Sequence, residues 1–174
     1  MDLTTTYMGL QLKNPIIVGA SPLTASIESI QELESAGAAA VVLHSIFEEQ
    51  INHETHELDH FLFKGSEDYA EALGFFPEVT LSNLESENYL DEIVQLKKSV
   101  RIPIIASLNG VSKGGWIDYA KKLEKAGVDA IELNITYIPT DINLDARDLE
   151  QMYIDALDAV KKSVHIPIAV KMNA

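Results

Sequence analysis

Cysteine is absent from the 174 residues. That excludes disulfides, thiolate metal sites and a cysteine nucleophile. No run approaches 18 apolar residues, so nothing in the sequence reads as a membrane-spanning helix. Residues 1–6 lack the basic start and apolar core of a secretion signal. Basic residues are few: 13 Lys and Arg stand against 27 Asp and Glu, for a net charge of −14. Such a balance argues against nucleic acid and against anionic membrane surfaces as partners. A G-x-G-x-x-G fingerprint is missing as well, since G-A-S-P follows the first buried strand. This weakens a dinucleotide-binding fold. Together the absences fit a soluble, cytoplasmic protein acting on a small molecule.

What is present is a chain that is 47% hydrophobic, enough for one domain over residues 1–174 with a real core. Residues 3–8 and 10–13 read as a hairpin around Gly9. Residues 16–20 form a first buried strand. Ser26 is a good helix N-cap, and Gly37 stops that helix at its C-terminus. A second strand spans 39–44. Further helices are expected at 89–100, 116–126 and 146–163, with strands at 102–108, 130–135 and 166–172. Residues 47–77 break this rhythm. The stretch is acidic, carries three histidines and is too long for an ordinary connection. It reads as a lid or as a contact between copies of the chain in a homo-oligomer, with one short helix at 68–73.

Two segments recur. L-E-S-A-G-A-A-A-V-V-L-H-S from Leu33 matches L-E-K-A-G-V-D-A-I-E-L-N-I from Leu123, and L-K-K-S-V-R-I-P-I-I-A-S-L-N-G from Leu96 matches V-K-K-S-V-H-I-P-I-A-V-K-M-N-A from Val160. Each is a helix end, a tight turn and a buried strand, a pattern that implies a parallel α/β sheet with right-handed crossovers. A doubly wound sheet and a (β/α)₈ barrel both remain possible. The turn sequences favour the barrel, of which five of eight strands are present.

The five strand ends carry polar groups: Ala20-Ser21, His44-Ser45, Ser107 with Asn109, Asn134 with Thr136, and Lys171 with Asn173. In a barrel such ends converge on one mouth. One cation, several amides and hydroxyls and an imidazole suit a flat heteroaromatic ligand with carbonyl and imide edges. Lys171 is the most informative, because a buried lysine is costly unless its charge is used. Its simpler reading is a side chain reaching to solvent at the rim. Glu132 and Lys171 could also form an ion pair without chemistry.

N-P-I-I-V-G-A-S-P, I-P-I-I-A-S-L-N-G, E-L-N and I-A-V-K together resemble the dihydroorotate dehydrogenase family of FMN-dependent barrels. G-V-S-K-G-G-W and N-I-T-Y-I-P-T-D resemble its dihydroorotate dehydrogenase-like branch. The resemblance runs in order along the chain and implies an FMN-dependent oxidoreductase of pyrimidine biosynthesis, taking dihydroorotate to orotate. It implies FMN contacts from Ala20 and Ser21, from His44 and Ser45, and from Asn109, Asn134 and Lys171. Three departures stand out. Tyr137 occupies the place of the family's cysteine or serine base, His44 replaces a strand-end lysine, and 47–77 has no counterpart of the N-S-M-G-L-P-N segment that holds orotate. An ordinary tyrosine, with a pKa of ~10, is a poor base at neutral pH. A relative acting on another cyclic amide, or a non-catalytic flavin-binding subunit, therefore stays open. A separate motif, His56-Glu57-Leu58-Asp59-His60, matches the H-E-x-x-H zinc-protease signature. Solvated loop histidines are its simpler reading.

Overall fold

The computed structural model describes residues 1–47, 84–109, 113–135 and 144–172. The expected lid and its short helix, the histidine motif, Thr136, Tyr137 and Asn173 lie outside the described residues.

The chain opens with an antiparallel hairpin, β1 (Thr5–Tyr7) and β2 (Leu10–Leu12). Its two-residue turn, Met8-Gly9, has φ of 51° and 79°. Positive φ at both central positions is the turn whose twist matches paired strands. Then follow β3 (Ile17–Val18), α1 (Ile27–Ser35), β4 (Ala40–Phe47), α2 (Leu84–Ser99), β5 (Ile104–Asn109), α3 (Lys113–Ala126), β6 (Ala130–Asn134), α4 (Ala146–Lys161) and β7 (Ile168–Lys171). Ser26 caps α1 as expected, its Oγ accepting from Ser29 N at 3.2 Å. Gly37 and Gly127 end α1 and α3 with φ of 106° and 96°, a conformation costly for residues with a Cβ. Helix α2 begins five residues before the expected start, since Leu84 and Glu85 are good helix formers.

Strands β3 to β7 make one parallel sheet, each beside its sequence predecessor. A doubly wound sheet reverses its strand order. None of the described strands does, so the sheet is a half-barrel of α/β type.

Alternation assigns the two faces. Ile104, Ala106, Leu108, Ile131 and Leu133 are buried against α1 to α4 in the main core. The opposite face carries Val42, Ile105 and Ala130, adjacent in register. Leu12, Leu10 and Met8 of the hairpin cover these residues and close the end of the sheet at which the strands start.

The two sequence repeats are also structural repeats. Glu34, in the first, accepts from Arg101 N at 2.9 Å. Glu124, its counterpart, accepts from His165 N at 2.7 Å and Ile166 N at 3.3 Å. Each helix-end carboxylate thus ties the turn that starts the strand one place further along the sheet. The repeating unit is helix–strand–helix–strand: α1–β4–α2–β5, then α3–β6–α4–β7.

Register and repeat together measure the stagger. The row through Val42 reaches Ala130, whereas the repeat aligns Val42 with Glu132, two residues later. The row through Ser107 reaches Ala169, whereas the repeat aligns Ser107 with Lys171, again two residues later. On these rows two strands accumulate two residues of offset, one per strand, and the β4 register shift adds a third above it, where the row through Ser45 reaches Glu132.

Candidate functional site

Above the apolar row on the inner face lies a polar one. Ser45, Ser107, Glu132 and Ala169 are neighbours in register. Ser45 Oγ and Ser107 Oγ are 2.8 Å apart and share a hydrogen bond. Ser107 is fully buried, so its hydroxyl needs that partner. One step further along the strands come Phe47 beside Asn109, and Asn134 beside Lys171. Asn109 and Asn134 are half-buried and lie two residues beyond Ser107 and Glu132, on the same face by strand alternation.

Lys171 Nζ lies 3.9 Å from Glu132 Oε1, with the lysine side chain 50% exposed and the glutamate 18% exposed. Two expectations meet here. The lysine does reach toward solvent at the rim, and it also pairs with a shielded carboxylate one strand away. Ala169, in register with Glu132, adds no charge or hydrogen-bonding side chain to this row.

His44 is placed differently from the other strand-end residues. The β4–β5 register shifts between Val42 and Ser45, an extra residue that bends the strand and re-aims a side chain. Leu43 packs in the helix-side core. The His44 ring also lies on that side, meeting the Tyr89 ring edge-on with centroids 4.9 Å apart and planes at 83°. Tyr89 Oη donates to the His44 carbonyl at 3.1 Å. The imidazole lines a small cleft with Thr24, Ser26, Tyr89 and Glu92, between α1 and α2. Its Nδ1 is shielded from solvent and has no partner among the described residues. Burial, and then the Glu92 charge, push the Tyr89 hydroxyl well above its ordinary pKa. The bulge thus sends His44 to the helices and returns Ser45 to the inner face.

Ala20 packs against the inner-face cluster. Ser21 opens a one-turn 3₁₀ helix, Pro22–Thr24, where its carbonyl accepts from Thr24 Oγ1 at 2.9 Å. The structure thus brings Ser45, Asn109, Asn134 and Lys171 to one face, sets Ala20 and Ser21 at the neighbouring strand end, and takes His44 away. Ser107, one of the polar strand-end groups, joins this face as well. Its in-register partner Ser45 would have singled it out had the bulge been visible. Among the described residues no cluster of histidine and acidic side chains could hold a metal ion, and no helix is long and apolar enough to cross a membrane.

The donor set suits a flavin ring. An ammonium and side-chain amides can donate to ring carbonyls and nitrogens, while amide oxygens and the carboxylate can accept from an imide N–H. Hydroxyls serve either way.

No protein-family profile matches the chain. Curated relatives do. The dihydroorotate dehydrogenase B (NAD(+)) catalytic subunit of Thermoplasma volcanium is 30% identical over 173 residues, 99% of this chain and 54% of that protein. The same-named subunit of Thermoplasma acidophilum is 25% identical over 173 residues, 99% and 54%. That of Methanocaldococcus jannaschii is 28% identical over 177 positions, 98% and 54%. The chain spans about half the length of the curated relatives it matches. Among solved structures, a candidate dihydrodipicolinate synthetase from Pseudomonas aeruginosa superposes with a TM-score of 0.53 at 14% identity, over 91% of this chain and 45% of that one. Dihydrodipicolinate synthase from Bacillus anthracis gives 0.50 at 20% identity, over 89% and 44%. These structural likenesses speak for the barrel-type fold alone. The likeness to dihydroorotate dehydrogenases expected from the motifs runs through the whole chain.

Proposed function

We propose that this chain is the first part of an FMN-dependent (β/α)₈ barrel, an oxidoreductase of the dihydroorotate dehydrogenase type. The observation that carries the reading is the single inner-face array of Ser45, Asn109, Asn134 and Lys171, with Glu132 beside the lysine. The stagger of one residue per strand supports eight strands, because a barrel of eight strands and shear eight has that offset.

In this reading Asn109, Asn134 and Lys171 hold the ring edge, and the backbone at Ala20 and Ser21 borders it. Bound FMN would supply a hydride acceptor. Lys171 places positive charge where negative charge gathers on reduction. The hairpin residues Leu12, Leu10 and Met8 exclude water from the far end of the inner face. In such barrels the phosphate is held after strands seven and eight, so FMN binding belongs to the complete barrel and the 174 residues alone bind it weakly.

The substrate is dihydroorotate or another cyclic amide. Tyr137, standing at the resembled family's base position, favours the second of these or a non-catalytic flavin subunit. The test is flavin uptake followed by anaerobic addition of dihydroorotate. The complete protein should be yellow, and Lys171→Ala should weaken FMN binding in a fluorescence titration. A colourless protein ends the flavin reading. A yellow protein that dihydroorotate does not bleach ends dihydroorotate as substrate. Bleaching that Tyr137→Phe abolishes would make the tyrosine the base.

A further inference from the structure

Glu132 and Lys171 are charged where the first repeat is not. The repeat aligns Glu132 with Val42 and Lys171 with Ser107. Strands β4 and β5 pair in parallel just as β6 and β7 do, so the scaffold does not require the charges. A carboxylate 18% exposed on an inner face loses hydration, and a protein keeps such a group when something uses it. Its neighbours along the row are the neutral Ser107 and Ala169. Among the described residues of these inner rows it is the one acid and Lys171 the one base, 3.9 Å apart. Oppositely charged groups at this spacing largely cancel each other's field at the surface they share.

We propose that Glu132 is a positioning residue that acts through Lys171 and sets the redox preference of the bound flavin. Its carboxylate draws the ammonium back over the inner face and offsets its charge, so that the ring edge meets a nearly neutral pair rather than a bare cation. A bare cation would favour the reduced ring, which carries negative charge at that edge. The pair favours it less and holds the oxidised and reduced forms with more similar affinity. The inference rests on the flavin reading above.

The test measures the two-electron midpoint potential of the FMN-loaded complete protein, by equilibrium reduction against a reference dye, in the wild type and four variants. Glu132→Gln keeps the shape and removes the charge. It should raise the preference for the reduced ring about tenfold, which is ~30 mV upward for a two-electron couple. Lys171→Gln should move the potential downward. The double variant, with both charges gone, should return close to the wild-type value. Glu132→Asp, which keeps the charge, should stay near wild type and serves as the check that substitution alone does not disturb the site. The inference is overturned if Glu132→Gln leaves the potential unchanged, moves it in the same direction as Lys171→Gln, or loses flavin altogether. A complete wild-type protein that takes up no FMN would instead overturn the flavin reading, and this inference with it.

Discussion

The two repeats are built alike, yet they differ where the ligand would sit. Both place a helix-end glutamate on the turn entering the next strand but one, and both end the first helix of the unit with a glycine at positive φ. Both bury a strand of similar sequence beneath paired helices. The first unit then inserts a bulge in β4 and turns His44 to the helices. The second keeps β6 regular, with Asn134 in His44's aligned position and Glu132 in Val42's. The scaffold is therefore specified twice and the charged chemistry once. Substitutions at matched positions separate the two kinds of information.

The largest contrast should come from Ile104 and Ile168, which the repeat aligns. Ile104 is fully buried in the middle of the sheet, whereas Ile168 is only partly buried. Ile104→Ala should cost about 2–5 kcal/mol. Ile168→Ala in this chain should cost only about 1 kcal/mol, in line with partial burial. Urea unfolding of both variants is the measurement. Equal losses would mean that β7 is covered in solution, by a second copy or by further strands.

A smaller contrast is expected between the two carboxylate ties. Glu124 holds two backbone N–H groups and Glu34 one. Glu124→Ala should cost about 1.5–3 kcal/mol and Glu34→Ala about 1 kcal/mol. Alanine is a good helix former, so helix propensity does not confound the comparison. A reversed order in chemical denaturation would break the equivalence of the two ties.

The smallest effect belongs to the ring pair at the bulge. The fold favours the neutral Tyr89 hydroxyl, whose pKa is raised by burial first and the Glu92 charge second. The unfolded chain releases that proton earlier. The stabilisation is thus whole below pH ~10, the ordinary tyrosine value, and falls as pH climbs above it toward the folded-state value. Tyr89→Phe should cost about 1 kcal/mol at neutral pH through the lost bond to the His44 carbonyl. It should also flatten the decline in stability above pH ~10. An unchanged alkaline slope would show that other groups set it.

Much of the fold was legible in the chain. The Ser26 cap and the Gly37 and Gly127 stops are local backbone demands, and short-range sequence states them directly. The recurrence of A-G-x-x-A and V-x-I-P-I marks where strands begin, because a buried strand after a tight turn needs an unbroken apolar run. The candidate site was legible in part. Asn109, Asn134 and Lys171 stand out because polar groups ending apolar strands are few. His44 and Ser45 looked equivalent, since alternation in sequence assumes a regular strand and one extra residue reverses it.

By itself the sequence determined the parallel α/β pattern, the doubled unit, the Ser26 cap and glycine stops of the helices and the likeness to dihydroorotate dehydrogenases, all of which follow from local propensity and repeated hydrophobic spacing. The tertiary structure decided the order of the strands, the one-residue stagger and the Ser45–Ser107 bond. It also decided the departure of His44 and the approach of Lys171 to Glu132. Each of these depends on which residue of one strand lies opposite which residue of the next. That register is set by hydrogen bonding between segments far apart in the chain, and no single segment carries it.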